Sequence, residues 1–189
     1  MKNGYRVLLV DNDPQSNASV SLGIRPEELK NNLATAMYSF IENDDFGDID
    51  DYLILKEGIH VFPSNIMLSA IETKLVVTDS REWVLKSILD KARDKFDYII
   101  IDCMTGLGLL VKNALTASDS VIIPIESNYL CSEGLESTLD TIAIVKKKLN
   151  SKLNIEGILF TKHQARANHS KNTMQKIHMV TAFTYSVNL

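Results

Sequence analysis

Five short apolar runs recur along this chain: Tyr5 to Val10, Ile59 to Phe62, Tyr98 to Ile101, Ser120 to Pro124 and Ile155 to Thr161. The longest of them are continuous rather than alternating and rich in Val and Ile, the pattern of strands buried on both faces. Most stop at turn formers or acids, such as Asp11-Asn12-Asp13-Pro14 and Pro63-Ser64-Asn65. Between them lie stretches with helical spacing. A helix is expected from near Pro26, with Glu27 and Glu28 in its first turn, where the helix dipole favours acids, and Leu29, Leu33, Met37 and Ile41 on one side. Ser80 is placed to cap a second, from Arg81 to about Lys95, with Leu85, Leu89, Ala92 and Phe96 as its stripe. Leu107 to Ala117 suits a third, and Glu133 to Leu149 is the clearest, with Leu135, Leu139, Ile142, Val145 and Leu149 on one face. Strands alternating with helices predict an α/β fold: a mostly parallel sheet with helices on both faces.

Composition sets the limits of that fold. With 189 residues, 45% of them hydrophobic, the chain can fill one core, and its four prolines and eight glycines do not suit a disordered protein. The expectation is one domain over residues 1–189, with a divergent tail from about residue 174 where periodicity fades. A net charge of -4 carries no electrostatic footprint for nucleic acid. No apolar run approaches the roughly 20 residues of a membrane span, and the N-terminus has too short an apolar run for a signal peptide. No membrane partner and a cytoplasmic location are therefore expected. Cys103 and Cys131 form no C-x-x-C pair, and the four histidines show no metal-ligand spacing. The acids between Asn43 and Asp51 read as a solvated surface turn.

In an open parallel sheet, ligands bind outside the carboxyl ends of the strands. Asp11 and Asp13 follow the first strand, and Asp102 follows the YIII strand. An acid there can hold Mg²⁺ together with phosphate oxygens, and another can orient a water for attack on a phosphoryl group. Each alone is equally a turn former. Their convergence is what makes them a candidate site.

The same residues carry a likeness. VLLVDNDPQSNAS (Val7 to Ser19) resembles the VLLVDxDPQGNAT segment of ParA/Soj partition ATPases, the deviant Walker A group that includes MinD. FPSNIMLSAIE (Phe62 to Glu72) is similar to their PSNIxLSxxE, and DYIIIDCMTGLGLL (Asp97 to Leu110) to their Walker B region, DYIIIDCxPSLGLL. Asn113 to Leu135 and Leu153 to Lys171 follow in the family's order, so the likeness runs from about Gly4 to Ile177, with wording nearest to mobile-element members. It implies a P-loop NTPase fold, ATP and Mg²⁺ as cofactors, a nucleotide-dependent dimer, a ParB-like partner and a role in chromosome or plasmid partitioning; the family also binds non-specific DNA, through segments expected to have no counterpart in this chain. By matched position Asp13 would be the catalytic residue that assists the attacking water. Asp102 would hold Mg²⁺ through water, Asp11 would support the metal end, and Pro14 and Gln15 would shape the loop beside the γ-phosphate.

Three departures qualify the likeness. No glycine is followed by lysine, so the KGGVGKT[ST] phosphate loop has no counterpart in these residues, and neither do its strand and helix. Thr105-Gly106 stands where the family has Pro-Ser, and the wording diverges after about Ile177. The resemblance therefore implies an incomplete partition ATPase, unable to hydrolyse ATP on its own. Its absent opening strand would have lain beside the YIII strand, leaving sheet edges to be re-paired. Unpaired buried backbone groups cost about 1–3 kcal/mol each, against a total stability of ~5–15 kcal/mol. The alternative is a non-enzymatic regulator that binds a full-length ParA or its ParB-like partner. An unrelated flavodoxin-like binder is the third reading, and the ordered motifs disfavour it.

Overall fold

The computed structural model describes residues 4–126 and 131–161. The chain divides into two compact units, residues 1–118 and 119–189. The first holds a four-stranded sheet in the order β2-β3-β1-β4, from β1 (Val7–Asn12), β2 (Ile54–Lys56), β3 (Ile59–Phe62) and β4 (Tyr98–Cys103). β1 runs parallel to both β3 and β4, while β2 is antiparallel to β3. Its helices are α1 (Asn17–Ser21), α2 (Leu33–Asn43), α3 (Leu68–Leu75), α4 (Val84–Asp90) and α5 (Leu109–Ala117). In the second unit β5 (Ser120–Glu126) pairs in parallel with β6 (Asn154–Thr161), and α6 (Cys131–Lys148) packs on β5. The expected mixed α/β architecture with a mainly parallel sheet is present.

A clamp starts β1 and β4 together. Asp97 accepts the Arg6 backbone N–H at 2.7 Å and pairs with the Arg6 guanidinium at 2.9 Å, and the Asp97 N–H returns a bond to the Arg6 carbonyl at 2.9 Å. The guanidinium and backbone bonds from Arg6 hold the Asp97 carboxyl below the usual carboxylate range. From that start the strands stay in step. Leu8, Val10 and Phe62 turn to one side of the sheet, where they meet Leu33 and Met37 of α2, Leu68 of α3, Leu85 and Ile88 of α4 and Leu110 of α5. This is the core of the unit.

Local chemistry explains where the elements differ from expectation. The helix near Pro26 is only a single 3-10 turn, Pro26–Glu28, and Leu29 is extended. The α-helix begins afresh at Leu33 because Asn32 and Thr35 form a reciprocal capping box. Ser80 does not cap: it lies at φ 50° with no side-chain cap bond. The N-terminus of α4 is instead closed by Asn113 of α5, whose Oδ1 accepts the Leu85 N–H at 3.0 Å. The same side chain donates to the carbonyls of Arg81 at 2.8 Å and Leu109 at 3.0 Å. The hairpin β2–β3 was not anticipated; Glu57 and Gly58 both have positive φ, as a tight two-residue hairpin turn requires. The acidic segment after α2 is not merely solvated. Phe46 and Ile49 are buried in it, and Lys91 and Lys95 reach its Asp45 and Asp50 at 2.7 Å each.

One correction concerns β4. The sequence marks it as buried on both faces, yet Tyr98 is 53% and Ile100 55% exposed. Ile99 and Ile101 pack against the core, while the other side of the strand is open. Among the described residues β4 lies at the edge of its sheet, paired to β1 alone. In the second unit the expected stripe is present: Leu135, Leu139, Ile142 and Val145 are buried, as are Ile123 and Ile125 of β5. The end of the Leu153 to Lys171 segment, and the tail from residue 174, lie outside the described residues.

Asn113 supplies the first test. It is fully buried, and Asn113→Ala would strand the Leu85 N–H and the Arg81 carbonyl. At roughly 1–3 kcal/mol for each of the two stranded groups, the loss should be about 2–6 kcal/mol. Urea unfolding should show a lower midpoint with an unchanged slope.

Candidate functional site

The β1–β4 register sets Asp11 beside Asp102 and Asn12 beside Cys103, at the carboxyl ends of two parallel strands. Asp13 follows one residue beyond β1. The three acids singled out in the sequence therefore come together, with different burdens. Asp11 is fully buried, and its carboxylate is already engaged: Oδ2 accepts the Ser19 N–H at 2.8 Å and the Ser19 hydroxyl at 2.7 Å, and Oδ1 accepts the Asp13 N–H at 3.3 Å. It braces the loop that follows β1. Asp13 is half-buried, and its Oδ1 accepts the Gln15 N–H at 2.8 Å across a buried Pro14, while Gln15 itself is exposed. Pro14 and Gln15 thus form a tight turn over Asp13, closed by the Ser16 N–H to Asp13 carbonyl bond at 2.9 Å.

Ser16 completes that turn in the left-handed region, at φ 56° and ψ 31°. The related segment has glycine here, which bears this conformation without strain. Gly106, in the loop after β4, lies at φ 136° with nothing within 4 Å of where a Cβ would stand. The conformation, not lack of space, calls for glycine there.

Electrostatics at the two strand ends is repulsive. Burial pushes the Asp102 carboxyl above its ordinary value, and the negative charges of Asp11 and Asp13 push it further. A cation would relieve the repulsion around Asp102. Among the described residues no group of three His, Cys, Asp or Glu side chains is arranged to hold a metal unaided. Mg²⁺ commonly takes one or two carboxylates and fills its octahedron with water and phosphate oxygens. Asn12, fully buried between Asp11 and Asp13, donates to the Leu110 carbonyl at 3.0 Å and leaves its Oδ1 without a partner. Side chains alternate along β1, so this orphan acceptor lies on the Leu110 side of the strand, opposite the face of Asp11 and Asp102.

Two members of this arrangement were missed in the sequence. Ser19 lies eight residues from Asp11 and bonds it twice. Asn12 occupies a position with no motif of its own. Neither spacing has a periodic signature.

Comparison with known proteins agrees with the geometry. The family pattern described as an AAA domain matches residues 1–155. The sporulation initiation inhibitor protein Soj of Bacillus subtilis is 43% identical over 92% of this chain, which spans 67% of that protein. The chromosome partitioning protein ParA of Myxococcus xanthus is 40% identical over 91% of this chain, which spans 59% of it. Among solved structures, a cobyrinic acid a,c-diamide synthase of Mycobacterium smegmatis with bound ATP analog and magnesium is similar, at a TM-score of 0.86 and 33% identity. That match covers 94% of this chain and 70% of the synthase.

Two tests follow from the geometry. Ser16→Gly should relieve left-handed strain at the cost of the long Ser16 hydroxyl bond to the Pro14 carbonyl, 3.4 Å. A net gain of about 0.5–1 kcal/mol, or roughly 1–4 °C in Tm, is expected in a thermal melt. For Asp102 the sign runs through proton binding. Its pKa is raised on folding, so the native state binds more protons than the unfolded chain between the ordinary and the raised value. Stability is therefore lost as pH rises through that window. Asp102→Asn should melt slightly higher than the parent at pH 7, the gain being small because the carboxyl is partly solvent-screened. The difference should close as pH falls toward about 4.

Proposed function

Because this chain belongs to the AAA-domain family, and within it to the ParA/Soj-type partition ATPases, we propose that it carries the metal and water-activating half of a nucleotide site serving DNA partitioning. The observation that carries this reading is the β1–β4 register, which brings Asp11, Asp13 and Asp102 to one end of the sheet. Magnesium bound with ATP would supply charge neutralisation on the phosphate oxygens. Asp102, partly exposed and repelled by its neighbours, would hold that ion through water. Asp13, on a turn pinned by Gln15, would orient the attacking water and accept its proton. Asp11 would act through the loop it braces rather than by direct ligation, since Ser19 and the Asp13 N–H occupy its oxygens. Pro14 and Gln15 would fix that loop beside the terminal phosphate.

Phosphate affinity in such a site comes mostly from a cradle of backbone N–H groups and lysine. None of the eight glycines here precedes a lysine. The 189-residue chain by itself is therefore expected to bind Mg-ATP weakly and to hydrolyse none. Self-association and a ParB-like partner belong to the same reading, as proposals from the kinship with ParA and Soj. The open side of β4 is the observation that favours the second reading, a regulator that works by binding another partition protein.

The experiment is calorimetry with Mg-ATP on two proteins: the chain alone, and the chain preceded by a strand–loop–helix unit of roughly 25–35 residues from a close relative. Low-micromolar binding and slow hydrolysis are expected only for the extended protein. In it, Asp13→Ala should lower hydrolysis by about 100-fold or more while leaving binding. Asp102→Ala should weaken the magnesium dependence. Tight binding by the short chain alone, or indifference of the extended one to both substitutions, would overturn the reading.

A further inference from the structure

Glu72 lies at the end of the FPSNIMLSAIE segment, and none of the roles above uses it. α3 is fastened to the core by Leu68, Ile71 and Leu75, so the half-buried Glu72 is presented from a fixed helix. Its Oε1 accepts the Leu110 N–H at 3.4 Å, in the first turn of α5. The residue flanking that helix is Gly108, which has no side chain with which to cap it. A carboxylate against a helix N-terminus meets unpaired N–H groups and the positive end of the helix dipole.

A second observation concerns the same carboxylate oxygen. A Cβ built on Gly108 would collide with Glu72 Oε1, although the Gly108 backbone is of a kind that any residue adopts. Glycine at 108 thus leaves room for this carboxylate to approach, while its backbone angles do not call for glycine. The contact also leads to the site. Leu110, fully buried, gives its N–H to Glu72, and its carbonyl accepts from Asn12 Nδ2 at 3.0 Å. Asn12 sits between Asp11 and Asp13. The Cys103–Gly108 loop, which follows Asp102, ends on the same helix turn.

We propose that Glu72 is a positioning residue. Capping α5 from α3, it holds the Leu110 turn that ties the Asp11–Asp13 segment to the loop behind Asp102. This deepens the nucleotide-site reading, and its purpose rests on that reading. Its test does not, because the contact is read without nucleotide and would stand even if the chain bound none.

The measurement is hydrogen exchange, resolved by segment, on the full chain and on E72A, E72Q, G108A and the E72A/G108A double variant. In E72A, exchange should quicken about tenfold across residues 104–112. It should quicken measurably at the Asp13 and Ser19 amides, which both bond to Asp11, and stay unchanged in β3 and α2. E72Q keeps an acceptor oxygen and should hold protection within about threefold of the parent. G108A should loosen the same segment in the parent yet add nothing in the E72A background, because the atom it strikes is gone. Three results would overturn the proposal: unchanged exchange at 104–112 in E72A; loss spread equally into α2 and β3, which marks general destabilisation; or an equal G108A effect in both backgrounds. Should E72A fail to fold, G108A loosening 104–112 while E72Q protects it would support the proposal, and the reverse pattern would refute it.

Discussion

Six consecutive residue pairs join β1 to β4, from Val7 with Tyr98 to Asn12 with Cys103. Side chains alternate across a sheet, so this register decides two things at once. It turns Leu8, Val10, Ile99 and Ile101 toward the helices, and it sets Asp11 beside Asp102 at the strand ends. A slip of one residue would turn Leu9 and the Asp11 carboxylate into the core and move Asp102 away from Asp11. Core and site are therefore specified by one pairing. The Arg6–Asp97 clamp acts where that pairing starts, with one backbone–backbone bond, one backbone–carboxylate bond and an ion pair between residues 91 apart in sequence.

Beyond the register, much of the geometry rests on side chains that close backbone ends they do not belong to. Asn113 of α5 closes α4. Asn12 of β1 holds the first turn of α5 from the far side of the core. Asp11 gathers the loop after its own strand by taking the Ser19 N–H. Each bond joins elements remote in sequence or lacks a periodic signature, and each involves a buried group whose loss would strand a partner. Sites built this way are rigid because their polar atoms are committed before any ligand arrives. The exception is Asp102, whose carboxylate is opposed by like charges instead of bound by donors.

The sequence revealed what depends on local pattern and hid what depends on distant partners. The apolar runs located β1, β3, β4, β5 and β6 to within a few residues, because four to eight continuous apolar residues leave few other ways to bury them. The α6 stripe was equally legible. The helix expected at Pro26 broke because Asn32 and Thr35 offered a better start than Pro26, a contest between two local signals that periodicity does not rank. Ser80 had the composition of a cap, but its left-handed backbone turned it away, and Asn113, 28 residues from its partner Leu85, did the work. For the site, strand-end position identified Asp11, Asp13 and Asp102 correctly as neighbours. What it could not distinguish was their state. That Asp11 is saturated by hydrogen bonds while Asp102 is under repulsion emerges only when Ser19 and the register are placed.

β4 joins these strands of argument. It carries Asp102, and among the described residues it is the strand with the least cover: Tyr98 and Ile100 lie open on one side while Ile99 and Ile101 face the core. Its apolar composition is that of a strand flanked on both sides, a disagreement between sequence and environment at one element in an otherwise consistent unit. Disagreements of this kind concentrate where a protein meets something else. Here the open side of β4 and the unrelieved charge at its end lie on one strand. Whatever pairs with the strand's edge would also stand next to Asp102, where an electropositive group would offset the repulsion between its carboxylate and those of Asp11 and Asp13.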